Sequence, residues 1–492
     1  MIFINFVGQF DFEYDIQGII RSFYPGEELK SVTGQKPAAD MGEPYDYILI
    51  CDFSDYHMEM TFCDREQVIE RKSFEKIYLD GQYDRKETKD TLKRQLYDIL
   101  SGYTHKELPW GTLSGIRPTK ITSKMVEEGL SDEEIFHRMK RDYYLSDGKI
   151  KESTEISRTE HQILSNIEEG YSIYIGIPFC PSKCLYCSFT SNPVSAFQNR
   201  VDEYLDAMMK EMKFCAEAYK EKRLCTIYIG GGTPTALSAK QLDKLLGYVE
   251  EIFDTKHLYE YTIEAGRPDS ITEEKLRVIK KYDITRISIN PQTMKDDTLK
   301  LIGRNHTTAQ FLESYELARK LGFDNINMDF ILGLPNETIE DVRQSMEMVK
   351  QLKPDSLTIH SLAVKRAARL NFEQRMGKKY EIHNSEELMD VTIQTAQETG
   401  LRPYYLYRQK NMAGNLENVG YAKSGKEGIY NILIMEEKQT ILAIGAGGSS
   451  KMVSDDCNVI ERIENVKDVK TYIERIDDMI ERKRKYIYGK DR

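Results

Sequence analysis

Three cysteines lie close together at Cys180, Cys184 and Cys187, within the stretch "YIGIPFCPSKCLYCSF" that runs from Tyr174 to Phe189. Their spacing is C-x3-C-x2-C. An odd number of thiols does not close into disulfides, and a structural zinc site normally takes four ligands. Thiolates are soft donors that favour iron–sulfur clusters and zinc. Three of them can hold three irons of a [4Fe-4S] cube and leave the fourth iron open to a small molecule. The alternative is a zinc ion completed by a distant ligand. The compact spacing, with Phe179, Tyr186 and Phe189 around the thiols, favours the cluster.

Other residues suited to binding recur further along the chain. "IYIGGGTPTALS", Ile227 to Ser238, brings consecutive glycines, which let a backbone approach a ligand closely and leave its N–H and C=O groups free to bond it. Glu264 lies in "YTIEAGRPDSIT" and Gln292 in "RISINPQT". Arg304 lies in "LIGRNH" and Asp329 in "NMDFILGLPNET". A carboxylate suits ribose hydroxyls or an amino group, and a planar guanidinium suits a bidentate grip on a carboxylate. Any one of these alone reads more readily as a cap or surface residue. Tyr174 lies just before the cysteine loop, with buried strand packing as its alternative reading.

The elements that must position them form a rhythm. "YSIYIGI", "CTIYIGG", "EYTIEAG", "ITRISIN", "NINMDFILG" and "SLTIHSL" read as six strands. Amphipathic helical segments such as "AFQNRVDEYLDAMMKEMKFCAEAYK" and "TIEDVRQSMEMVKQL" separate them. Strands alternating with helices of this length indicate βα units and a parallel sheet, here a partial TIM-like (βα)6 barrel. In such barrels the chemistry sits at the C-terminal ends of the strands, which is where all the residues above fall. Their joint placement argues for one site. We expect this core over residues 166–364. Residues 1–165 read as an α+β domain that opens on a strand, "MIFINFVGQFDFEYD", and contains "LPWGTLSGIRPTK" as an ordered loop or packing joint. Residues 365–492 read as a C-terminal region covering the barrel mouth.

The pattern Y-x-x-I-P-F-C-x3-C-x-Y-C resembles the radical S-adenosylmethionine (SAM) superfamily, and within it the oxygen-independent coproporphyrinogen III oxidase family. "LPWGTLSGIRPTK" ahead of the core is similar to the branch of that family called HemZ. The resemblance implies a [4Fe-4S] cluster on Cys180, Cys184 and Cys187 whose open iron binds SAM. One-electron cleavage of SAM then yields a 5'-deoxyadenosyl radical that takes hydrogen from a substrate C–H bond. It further implies that Gly231, Gly232 and Thr233 contact the methionine moiety and that Arg304 faces its carboxylate. Tyr186, Glu264, Gln292 and Asp329 complete the cofactor site, and Tyr174 stands next to the cluster, as a cofactor-binding and catalytic position. The implied reaction is oxidative decarboxylation of two propionates of coproporphyrinogen III to vinyl groups, giving protoporphyrinogen IX. A reducing donor such as flavodoxin or ferredoxin is implied as partner. Lys365, Arg366, Arg369, Arg408 and Lys410 are candidates to meet the anionic tetrapyrrole.

Two positions depart from the best-studied oxidases of the family. Phe189 stands where they carry a further cysteine, as it does in haem-chaperone relatives, and Gly176 stands where they carry a histidine. A haem-binding chaperone, or a radical enzyme acting on haem or another tetrapyrrole, is therefore the alternative reading.

Composition narrows the remaining classes. The net charge of −11 and the lack of a continuous basic stripe argue against a nucleic-acid binder. The clusters Lys220 to Arg223 and Arg482 to Lys485 read as solvated helix faces. No run of about 18 apolar residues suggests a membrane span. Of eight cysteines, five are scattered, which fits free thiols in a reducing cytoplasm.

Overall fold

The computed structural model describes residues 1–34, 44–65, 67–115, 117–409, 416–454 and 459–489. Lys410 and Cys457 lie outside the described residues. The chain divides into two compact units, Met1–Arg158 and Thr159–Arg492.

The first unit is built on a five-stranded sheet. β1 (Ile2–Gly8) runs parallel to β2 (Leu29–Thr33) and β3 (Tyr47–Phe53). β3, β4 (His57–Asp64) and β5 (Gln67–Glu75) form an antiparallel meander. Apolar residues at three- and four-residue steps on α1 (Glu13–Phe23), among them Ile16, Ile19, Ile20 and Phe23, bury one helix face. With Leu92 and Leu96 of α2 (Arg85–Thr104) they pack on Ile4, Phe6 and Leu49 of the sheet. The joint segment turns at Gly111, whose φ of +49° and contact with the Tyr143 carbonyl, 2.0 Å from where a Cβ would sit, admit only glycine. Three helices follow, α3 (Thr119–Glu127), α4 (Asp132–Tyr143) and α5 (Asp147–Leu164), and the division between the units falls within α5.

The second unit carries the six strands in register order: β6 (Tyr171–Ile177), β7 (Leu224–Gly231), β8 (Glu260–Gly266), β9 (Arg286–Ile289), β10 (Ile326–Leu332) and β11 (Ser356–Ser361). Each pairs parallel to the next. The crossover helices are α6 (Val201–Ala218), α7 (Ala239–Ile252), α8 (Glu273–Lys280), α9 (Asp296–Leu301), α10 (Thr308–Lys320) and α11 (Ile339–Leu352). Side chains alternate along each strand. One set is apolar and buried, for example Ile173, Ile227, Ile263, Ile287, Met328 and Ile359. The other is polar, and its members bond one another across strands. Thr226 Oγ1 donates to Ser172 Oγ at 2.7 Å, Asn327 Nδ2 to Ser288 Oγ at 3.0 Å, and Arg286 Nη2 to Ser356 Oγ at 2.9 Å. Residues of this set from every one of the six strands line a single cavity, so the sheet curves around it.

After β11 the chain forms α12 (Arg369–Arg375) and α13 (Glu386–Glu398) and then extends the sheet at both ends. β12 (Arg402–Tyr407) and β13 (Asn418–Ala422) add antiparallel strands beyond β11. α14 (Ile429–Glu436) leads to β14 (Thr440–Ile444), which joins β6 as a seventh parallel neighbour and carries the hairpin β15 (Ser449–Val453) and β16 (Ile460–Glu464). The last helices, α15 (Val469–Glu474) and α16 (Ile476–Gly489), pack on α6. There a fully buried network forms: Lys483 Nζ donates to Glu211 Oε1 at 2.6 Å, and the Tyr472 hydroxyl and the Gly445 N–H donate to Glu211 Oε2.

Candidate active site

The cysteine loop leaves the C-terminal end of β6 and is clamped from several sides. Ser182 Oγ donates to the Gly303 carbonyl at 2.8 Å, Leu185 N to Ile302 O at 2.8 Å, and Leu370 N to Leu185 O at 2.9 Å. Cys180 and Cys184 are buried and Cys187 is half-buried, and all three line the cavity. Among the described residues no three His, Cys, Asp or Glu side chains group closely enough to hold a single metal ion. Burial pushes the Cys180 thiol up to about 11, opposed by the Thr233 hydroxyl, which donates to Cys180 Sγ at 3.5 Å. The free thiol is therefore protonated near neutrality, and metal binding must displace its proton.

The glycine segment lies directly against this loop. A Cβ on Gly232 would sit 2.5 Å from the Phe179 carbonyl oxygen and 2.9 Å from Cys180 Sγ. Gly231 has φ +108° and faces Ile177 and the Tyr174 hydroxyl. The expectation that these residues keep their N–H groups free for a ligand is corrected here. Gly232 N donates to Ile177 O and Thr233 N to Phe179 O, each at 2.7 Å, because the segment continues the β6–β7 ladder past its end. What the missing side chains permit is close packing of this segment against β6 and the cysteine loop.

The cavity encloses about 400 Å³, within the usual range for a small-molecule site. Every proposed cofactor residue lines it: Tyr174, Tyr186, Gly231, Gly232, Thr233, Glu264, Gln292, Arg304 and Asp329. Burial raises the Glu264 carboxyl to about 7, against the pull of Tyr228, whose hydroxyl donates to Glu264 Oε1 at 2.6 Å. Tyr174 and Tyr228 stack with Tyr430 of α14, with ring centroids 4.6 to 6.3 Å apart. Gln292 is held at φ +69°, its N–H on Asp329 O and its carbonyl accepting from Ile331 N. Tyr186 donates to Gln292 Oε1 at 3.2 Å. Arg304 Nη1 donates to Asn290 O at 2.6 Å, while its buried Nε has no partner. That orphaned donor is the feature a bound carboxylate would satisfy. His306 beside it is buried with neither ring nitrogen partnered, and burial followed by the Arg304 charge pushes it down to about 4, so it stays neutral.

The expected tetrapyrrole cations separate. Lys365 lines the cavity, and Phe189 stands 68% exposed at its wall. Arg366 is exposed outside the lining, and Arg369 pairs with Glu373 at 3.2 Å on α12. Arg408 is buried beside Glu417 and is not in the lining. Tyr228, Arg286 and Arg267 are among the cavity residues that went unread in the sequence. Tyr228 and Arg286 belong to the polar face of the strands, whose alternation with isoleucines was there to find. Arg267 follows β8 within "EAGRPDS" and has no periodic signal.

A family model described as the Radical SAM superfamily matches residues 174–349. The oxygen-independent coproporphyrinogen-III oxidase-like protein HemZ of Bacillus subtilis is 44% identical over 413 residues, covering 82% of this chain and 81% of its own length. The heme chaperone HemW of the same organism is 32% identical, covering 62% of this chain and 76% of HemW. The solved coproporphyrinogen III oxidase HemN of Escherichia coli superposes with a TM-score of 0.51 at 23% identity, over 65% of this chain and 72% of HemN, which shows the shared fold.

Proposed function

The chain belongs to the radical SAM superfamily, in the family of oxygen-independent coproporphyrinogen III oxidase-like proteins, and from that premise we propose that it converts propionate side chains of coproporphyrinogen III to vinyl groups. The superfamily's cofactors are a [4Fe-4S] cluster and S-adenosylmethionine. When bound, they supply a carbon radical able to remove one hydrogen atom from a propionate β-carbon. Loss of carbon dioxide and of one electron, to an external one-electron acceptor, completes the vinyl group. A low-potential flavodoxin- or ferredoxin-type protein supplies the reducing electron.

The observation that carries this reading is the convergence of the thiols, the glycine cradle and the unpartnered Arg304 Nε on one cavity. Cys180, Cys184 and Cys187 hold the cluster. Gly231 and Gly232, which pack the end of β7 onto the cysteine loop and line the cavity, would border the methionine moiety, and Thr233 steadies Cys180. Arg304 would hold the carboxylate, beside Tyr186 and Gln292, which bond each other in the same wall. Glu264 and Asp329 offer acceptors to ribose hydroxyls or an amino group. The stack of Tyr174, Tyr228 and Tyr430 excludes water from the closed side. Lys365 meets a substrate propionate.

Exposed Phe189 favours a second reading, a haem chaperone, because a bare aromatic ring at the cavity wall suits stacking on a planar macrocycle. Anaerobic incubation of the reconstituted protein with SAM, reductant and coproporphyrinogen III separates the two. Vinyl products with matching 5'-deoxyadenosine are expected. Stoichiometric haem uptake with no vinyl product would replace the oxidase by the chaperone.

A further inference from the structure

Arg267 is 3% exposed and points its guanidinium at the back of the cysteine loop. Asp269 grips it with two parallel bonds, Nε to Oδ1 at 2.9 Å and Nη2 to Oδ2 at 2.6 Å. Such a fork fixes the plane of the group. The remaining nitrogen, Nη1, donates to Ser182 O at 2.9 Å and reaches Cys184 Sγ at 3.7 Å. The carboxylate thus lies on the far side and an N–H on the sulfur side. Burial would lift the Asp269 carboxyl, but Arg267 outweighs it and holds the group below the usual range. The pair is therefore ionised, and the dipole facing Cys184 is permanent. Arg304 and His306 are the other titratable groups facing Asp269, and only Arg304 adds charge.

The pair lies just beyond β8, whose own residues are tied by the parallel ladder to β7 and β9. Arg267 lines the cavity and reaches the Cys184 thiol, which the proposed function makes a cluster ligand. Hydrogen bonds to cluster sulfurs and nearby positive charge stabilise the more negative, reduced state and raise the reduction potential. We propose that Arg267, locked by Asp269, is a positioning residue that donates a hydrogen bond to the Cys184 thiolate of the cluster and raises its reduction potential. The proposal rests on Cys184 being a cluster ligand.

The test is a redox titration of the anaerobically reconstituted cluster, read by electron paramagnetic resonance, with iron and sulfide measured in each sample. In Arg267→Gln/Asp269→Asn, which leaves no buried unpaired charge, the reduced-to-oxidised ratio at a fixed potential should fall at least tenfold, a shift of about 59 mV for one electron. Arg267→Lys should shift in the same direction by less, because one ammonium cannot serve Asp269, Ser182 and Cys184 together. Asp269→Asn alone should shift the other way, since it leaves the cation uncompensated. A merely structural role predicts no such opposite signs. Unchanged midpoints at wild-type iron and sulfide content overturn the proposal. If the double variant takes up no cluster, the Lys variant decides by the same criterion. Failure of the wild-type chain to take up iron and sulfide would instead overturn the cluster assignment itself.

Discussion

Glu264 shows what burial does to a single group in this site. Its carboxyl is raised from an ordinary 4.5 to about 7, chiefly by desolvation. Between those values the folded chain holds a proton that the unfolded chain releases, so stability falls as pH rises through that window. Above it the ionised group costs on the order of 3 kcal/mol. Glu264→Gln keeps an acceptor for Tyr228 and removes the charge. Its melting temperature relative to the unsubstituted chain, both without SAM, should therefore climb between pH 5.5 and pH 8; a constant difference would contradict the assignment. At this scale the sequence was readable where residue type and spacing are unusual together. Three thiols within eight positions and a run of three glycines stand out in any chain. Arg267 does not, because a lone arginine after a strand acquires meaning only when folding brings it to Cys184, 83 positions earlier in the chain.

The βα rhythm was readable because each unit is locally consistent. Capping boxes open α7, α10 and α11, at Ser238, Thr307 and Thr338, and the strands between them are short apolar runs. The edges of the sheet were not readable. β14 has five residues and pairs with β6, about 270 positions earlier, a contact no local pattern encodes. The polar inner face escaped for another reason: small hydroxyls and amides among isoleucines look like ordinary strand residues until their cross-strand bonds are seen. α16 belongs to the same class, since only the fold brings Lys483 to Glu211, at 2.6 Å and with neither side chain exposed. Lys483→Met would leave that carboxylate buried without its cation. It should cost about 3–5 kcal/mol, read as a lower denaturant midpoint. A loss below 1 kcal/mol would mean that α16 does not depend on the pair.

At the scale of the whole molecule, two compact units divide the chain within α5, and one of them contains the entire candidate site. Among the described residues no helix is long and apolar enough to cross a membrane. The cavity is polar along its strands, is lined by Glu264 and Asp329 as well as Arg304 and Lys365, and has Phe189 exposed at its wall. The central claim is that hydrogen leaves a propionate β-carbon within this cavity. The measurement that tests it most directly uses coproporphyrinogen III deuterated at those carbons, incubated anaerobically with the reconstituted protein, SAM and reductant. Deuterium should appear in the 5'-deoxyadenosine, one label for each vinyl group formed. Unlabelled 5'-deoxyadenosine beside unchanged substrate would contradict the account.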